Sequence, residues 1–163
     1  MKRIGILSDT HGFFDPKFAE HFAECDEIWH AGDIGSLLVL ERLRAIAPVV
    51  RAVRGNIDYG DILYMCDSVD IFRVEEVNVL LVHIGGYPGK YAPGLEDLLI
   101  RNDINLMVCG HSHILKVMHD RRNNILHINP GAAGHQGWQT KRTIIRLTID
   151  GADMRDLEVI ELS

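Results

Sequence analysis

Apolar and polar positions alternate in blocks along the chain, and the period of the blocks changes near the middle. Residues 3–8, "RIGILS", are a short apolar run closed by the polar "DTHG", the pattern of a buried strand ending in a turn. Residues 17–24 carry Phe18, Ala19, Phe22 and Ala23 at helical spacing, with Pro16 placed for a first turn. "EIWHAGD" at 27–33 predicts a second strand and turn. Residues 36–47, "SLLVLERLRAIA", predict a helix capped by Ser36, with Leu37, Leu40, Leu43 and Ala47 along one face. "VVRAVRGN" at 49–56 is a third strand running into glycine. The order strand, helix, strand, helix, strand implies right-handed crossovers and a mostly parallel sheet.

The second half is richer in strands. "VDIFRVEEVNVLLVHIGG" predicts a hairpin turning near Glu75-Glu76-Val77-Asn78, whose second arm is apolar throughout and therefore central in its sheet. A helix at 94–102 and the strand "INLMVCG" follow, then three strand-like runs, "ILKVMHD", "NILHINPG" and "KRTIIRLTID". The final run, "DMRDLEVIEL", is expected to pair back as an edge. No repeat, low-complexity tract or linker interrupts the pattern, so a single domain over 1–163 is expected. The fold class is α/β, with two packed sheets and helices outside.

Composition narrows the chemistry. The chain has 163 residues, 47% of them hydrophobic and 25% charged, enough to bury a substantial core. Its apolar stretches, such as 78–86, fall well short of the roughly 20 residues needed to span a bilayer. The basic N-terminal residues are followed by an apolar run too short for a signal peptide, so no membrane association and a cytoplasmic location are expected. Cys25, Cys66 and Cys109 are odd in number and share no CxxC spacing, which predicts buried reduced thiols. A net charge of -6 argues against extended nucleic-acid binding, which needs a basic face. A site that loads divalent cations would nevertheless be locally positive.

The informative positions are those where strands stop. Asp9 and His11 follow the first strand, Asp33 the second, Asn56 the third, His83 the apolar hairpin arm, and His111 with His113 the "INLMVCG" strand. Ligands collect at the carboxyl ends of parallel strands. Singly, an Asp or Asn before glycine is a turn former and a lone His an edge residue. Together they form a mixed oxygen and nitrogen donor set suited to Mn, Fe, Zn or Ni, unlike the all-oxygen cages of Ca. Seven side chains exceed one tetrahedral site, and two adjacent metals sharing a carboxylate are the natural solution.

The segments "SDTHG" at 8–12, "HAGDI" at 30–34, "RGNID" at 54–58, "VHIGG" at 82–86 and "GHSHI" at 110–114 resemble, in order and spacing, the five motifs of the calcineurin-like metallophosphoesterases. The compact size and "INPGAAG" at 128–134 are similar to the small bacterial and archaeal phosphodiesterase branch. The resemblance implies a four-layer α-β-β-α sandwich of two mixed sheets flanked by helices. It implies that Asp9, His11 and His113 hold one metal, that Asn56, His83 and His111 hold the other, and that Asp33 bridges them. Manganese is the first expectation for the two ions, with Ni, Zn, Fe or Mg as alternatives. Asn56 and His83 are expected to serve catalysis as well as metal binding. The implied reaction is in-line attack on phosphorus by a hydroxide bridging the two metals.

Two departures from the family pattern stand out. Position 57, where many phosphatases of the superfamily carry a histidine thought to protonate the leaving alkoxide, is isoleucine. This favours a small phosphate diester over a monoester as substrate, with neighbouring Asp58 a candidate either to assist or simply to form a turn. The residue after His83, usually glycine, is Ile84. Ser8, Thr10 and Ser112 are read as turn or supporting residues, His30 as supporting, Asn129 as a turn residue, and His135 as a candidate substrate contact. The loop 85–94 is either a plain connection or a lid in which Tyr87, Lys90 and Tyr91 face a nucleotide-like or aryl ester. The competing reading is a weakly active or inactive scaffold for protein interactions, as in a eukaryotic coat-assembly relative of this branch. Related proteins are often dimers or larger, and a homo-oligomer is compatible with this chain.

Overall fold

A computed structural model describes residues 1–162. Its strands are β1 (Lys2–Leu7), β2 (Glu27–His30), β3 (Val49–Ala52), β4 (Val69–Val74), β5 (Val77–Val82), β6 (Gly86–Tyr87), β7 (Lys90–Tyr91), β8 (Leu106–Val108), β9 (Lys116–Asp120), β10 (Ile125–Asn129), β11 (Thr143–Asp150) and β12 (Asp153–Glu161). Its helices are α1 (Pro16–Phe22), α2 (Leu37–Arg44), α3 (Ile62–Met65) and α4 (Leu95–Arg101).

Two five-stranded sheets have the orders β12-β11-β1-β2-β3 and β4-β5-β8-β10-β9. β1, β2 and β3 are parallel, and β11 joins β1 from the other side in the antiparallel sense. In the second sheet β5, β8 and β10 are parallel, with β4 and β9 antiparallel at the edges. Alternation along the strands builds the layers. Ile4, Ile6, Val79, Leu81, Leu106, Val108, Ile145 and Leu147 face inward and form one core between the sheets. On the outer face of the first sheet, Leu7 and Ile28 meet Phe18 and Phe22 of α1 and Leu40 and Leu43 of α2. On the outer face of the second, Leu80, Val82 and Met107 meet Leu95 and Leu99 of α4. These four layers match the expected α/β sandwich.

Trp29 is the largest fully buried side chain and sits in the inter-sheet core with its ring edge-on to Phe72 at 5.1 Å. Truncating it would cost about 3–5 kcal/mol. Local signals act as expected at the helix starts: Asp15 and Ser36 accept from Lys17 N–H and Leu38 N–H, and Pro16 opens α1. The helix predicted at 36–47 ends at Arg44, and its buried stripe is Val39, Leu40 and Leu43, with Leu37 only partly covered. β12 is the edge strand beside β11, as expected. The three cysteines are free and buried. Two features had no periodic signal: the one-turn helix α3, and the β6-β7 hairpin folded within the loop 85–94. No helix among the described residues is long and apolar enough to cross a membrane.

Candidate metal centre

The turns that follow β1 and β2 are zipped together before any side chain is considered. Asp9 N–H donates to Gly32 O, His11 N–H to Asp33 O and Gly12 N–H to Ile34 O. Gly110 N–H donates to His83 O, and Gly134 N–H to Asp9 O, tying in the second sheet and the segment after β10. Five of the seven candidate ligands have left-handed backbones: Asp9 (φ 55°), His11 (48°), Asp33 (54°), His111 (72°) and His113 (63°). For a non-glycine residue each costs on the order of 1 kcal/mol, and such residues gather where function over-determines the backbone.

These turns bring Asp9, His11, Asp33, Asn56, His83, His111 and His113 together. The ligand atoms of Asp9, His11 and His113 lie within 4.8 Å of one another, and so do those of Asp33, His83 and His111. Asp33 Oδ2 touches both groups, 3.3 Å from His83 Nε2 and 3.5 Å from His11 Nε2. Asn56 Oδ1 stands 3.0 Å from His83 Nε2 and 3.0 Å from His111 Nδ1.

Each aspartate divides its two oxygens between fold and site. Asp9 Oδ2 accepts from the Ser8 hydroxyl at 2.6 Å and from His111 N–H at 3.0 Å, so Oδ1 faces His113 Nε2 at 3.1 Å. Asp33 Oδ1 accepts from Ile57 N–H at 3.1 Å, leaving Oδ2 for the histidines. Glycine makes both placements possible. A Cβ on Gly110 would meet Ser8 Oγ and stand 2.7 Å from Asp9 Oδ2, and one on Gly55 would collide with Asp33 Oδ1.

The imidazoles are oriented in the same manner. His83 Nδ1–H donates to Ala31 O at 2.7 Å, which turns Nε2 toward Asp33 and Asn56. The His113 Nδ1–H donates to Gln139 Oε1 at 3.0 Å, and Gln139 is held in that orientation by donating through Nε2 to Gly134 O and Gln136 O. Gln139 carries no motif spacing, and sequence reasoning missed it. Behind the ligands, His30 donates to Thr10 Oγ1, which donates to Ile34 O, while Gly32 N–H donates to His30 Nδ1. Burial, then the charge of His83, pushes His30 down to about 3, so the ring is a neutral brace.

Burial opposes the Asp33 charge, but hydrogen bonds from His83 and Ile57 N–H outweigh it and hold the carboxyl below its ordinary value. Burial likewise disfavours charged His83, yet Asp33 and Asp9 hold it above the ordinary histidine value. A proton shared by this pair and a bound cation would compete for the same atoms. His11 Nε2, buried and without a hydrogen-bond partner, faces Asp9 Oδ1 and Asp33 Oδ2. An unpartnered imidazole nitrogen among two carboxylate oxygens and three further histidines fits divalent transition metals.

Other expected site residues lie elsewhere. Asp58 is buried, and its carboxylate accepts from Ile34, Gly35 and Gly55 N–H at 3.2, 2.8 and 2.8 Å, clamping the Asp33 turn to the Asn56 turn. Its hydrogen bonds describe the turn role. His135 is exposed and its ring lies tilted against Phe13, centroids 4.7 Å apart. Ser112 supports the turn: its Oγ accepts from Ile114 N–H and from Asn129 Nδ2, which also donates to Gly110 O. In the 85–94 loop, Tyr91 turns away to donate to Asp120, while Tyr87 stays partly exposed beneath Lys116.

The profile of the calcineurin-like phosphoesterase superfamily domain matches residues 1–152. The chain belongs to this superfamily. A protein of Methanocaldococcus jannaschii named as a probable metallophosphoesterase is 30% identical over 135 residues, covering 79% of this chain and 67% of its own. A solved structure described as a novel archaeal phosphodiesterase superposes with a TM-score of 0.74 at 25% identity, covering 98% of this chain and 99% of the other. Vps29 of Chaetomium thermophilum shares the fold, with a TM-score of 0.78 at 14% identity over 99% of this chain and 97% of its own. Membership of this superfamily makes the protein a metal-dependent phosphoesterase that acts on phosphate esters.

Proposed function

We propose that the protein is a dinuclear metal-dependent phosphodiesterase that hydrolyses a small phosphate diester. The observation that carries this reading is the pair of ligand groups joined through Asp33 Oδ2. Asp9, His11 and His113 would hold one ion, Asn56, His83 and His111 the other, and Asp33 both, with manganese the first choice and Ni, Zn, Fe or Mg as alternatives. Bound ions supply Lewis acidity, acidifying a water and offsetting charge on the phosphoryl oxygens. The chain's own part is placement. Asp9 and Asp33 each offer one fixed oxygen, His83 and His113 each offer an oriented Nε2, and the Asn56 amide donates to a phosphoryl oxygen. Ile57, beside Asn56, cannot protonate a leaving group, which favours diesters whose leaving group needs little help.

The test is metal-depleted protein reloaded with Mn, Ni, Zn, Fe or Mg in turn and assayed on paired aryl monoester and diester substrates. Turnover with at least one metal, faster on the diester, is expected. If monoesters are much the faster, the inference from Ile57 fails. Absence of turnover with every metal would favour the second reading, a protein-interaction scaffold. That reading is supported by Tyr59, Leu63, Tyr64 and Met65, four exposed apolar side chains within one short segment, and by the fold shared with Vps29.

A further inference from the structure

A cavity of about 220 Å³ opens beside His111. Its walls come from the segment after β5, the 110–114 turn and the strands β9 and β10. This is smaller than the several hundred Å³ of a typical drug-sized pocket, so it accommodates one ring system rather than a whole dinucleotide. Ile84, Ile114 and Tyr87, all more than 40% exposed, make much of the lining apolar. Ile84 is the residue that stands where the family pattern usually has glycine.

Two polar groups of the cavity, Asn129 and Ser112, bond one another and the neighbouring backbone. The buried His127 does not. It lines the cavity and is 1% exposed, yet its Nδ1 has no hydrogen-bond partner among the described residues. Its other nitrogen is 4.0 Å from Cys109 Sγ. Burial, then the charge of Lys116, pushes His127 down to about 4, so the ring is neutral and offers one donor and one acceptor. A buried polar atom left unmatched costs free energy that a ligand recovers by pairing with it. Lys116 completes the cavity, its Nζ lying 4.3 Å from the centroid of the Tyr87 ring.

A group suited to this lining is flat, apolar on its faces and polar at one edge. We propose that the cavity is an ester-group subsite for a nucleobase, stacked among Tyr87, Ile84 and Ile114 and hydrogen-bonded at its edge by His127, while its phosphate lies at the metal centre beside His111. The subsite rests on the phosphodiesterase reading above, because it takes its orientation from a phosphate bound at that centre.

Three phosphates separate the contributions: ribose 5-phosphate has no ring, phenyl phosphate has a ring without a polar edge, and uridine 5′-monophosphate has both. Their dissociation constants are measured by calorimetry on the zinc-loaded full chain, with amide shifts followed in ¹⁵N-labelled protein. Uridine 5′-monophosphate is expected to bind about tenfold more tightly than ribose 5-phosphate, in the range of one stacked base, and to shift the Gly85, Gly86 and Ser112 amides. Ile114→Trp, which fills the cavity, brings the ratio of the two constants to about one. His127→Phe narrows the gap between uridine 5′-monophosphate and phenyl phosphate, and His127→Gln restores part of it. Equal binding of uridine 5′-monophosphate and ribose 5-phosphate, or a ratio that survives Ile114→Trp, overturns the subsite while leaving the phosphodiesterase reading intact. If none of the three phosphates binds the loaded protein, the subsite falls, while the phosphodiesterase reading stands or falls on diester turnover by the same loaded protein.

Discussion

The two halves of the candidate metal centre use the same donor chemistry but are held by different means. In the half made by Asp33, His83 and His111, His111 is exposed, whereas His83 is 3% exposed and is fixed by the carbonyl of Ala31, which no substitution can remove. Asp9, His11 and His113 combine a deeply buried carboxylate with an imidazole fixed by the side chain of Gln139, which lies in a mostly exposed segment. His83 is therefore braced by backbone and His113 by a replaceable side chain. Affinity for the two ions should be separable by mutation, even though Asp33 joins them.

The largest effect is expected where the halves meet. Asp33→Ala removes the oxygen common to both and should reduce turnover roughly a thousandfold, about 4 kcal/mol of barrier, with bound metal falling below that of a His113→Ala control. Mass spectrometric metal content alongside steady-state rates checks this, and an Asp33→Ala protein retaining full metal would break the shared-oxygen account. Gln139→Leu should weaken metal affinity about 10–100-fold, and only at the Asp9 half, seen as one weakened phase in a two-phase metal titration. Weakening of both phases together would erase the distinction between the halves.

Asp58→Ala comes next, because it unpairs three backbone N–H groups between the Asp33 and Asn56 turns. A loss of about 1–3 kcal/mol in urea unfolding is expected. The smallest effect is expected at Asp15, which is outside the ligand set. Burial opposes ionisation of Asp15, but Lys17 N–H and Arg142 outweigh it and hold its pKa below the ordinary 3.8. The stability it contributes is fully present above pH 3.8 and is lost as pH falls through the lowered value. Asp15→Asn should flatten that acid limb of a thermal-melting profile without changing the melting temperature's pH dependence near neutrality.

The sequence made the donor set legible because strand ends are readable from hydrophobic periodicity, and Asp, Asn and His cluster there. The layers were legible for the same reason, since Leu80 and Leu81 on one continuous apolar strand serve two different cores. What periodicity does not carry is a side chain bonded to distant backbone. Asp58 was ambiguous because its partners Ile34 and Gly35 lie more than 20 residues away. Gln139 was invisible because it braces a histidine 26 positions earlier from within an irregular segment. The left-handed turns were half visible: Asp and His tolerate that region better than branched residues do, but tolerance does not announce use.

The pairing of β1 with β11 has a consequence for how the protein comes into being. Ile4 lies opposite Leu147 and Ile6 opposite Ile145, so β1 waits for a strand made much later before both its edges are covered. Such long-range pairing is slow, because a loop of well over a hundred residues closes before any contact rewards it. During synthesis, residues 1–134 leave the ribosome with the Asp9 turn attached to a strand still open on one side. The candidate ligand set of Asp9, His11 and His113 is thus completed only after Gln139 has been made, and a divalent ion met earlier would find it unfinished.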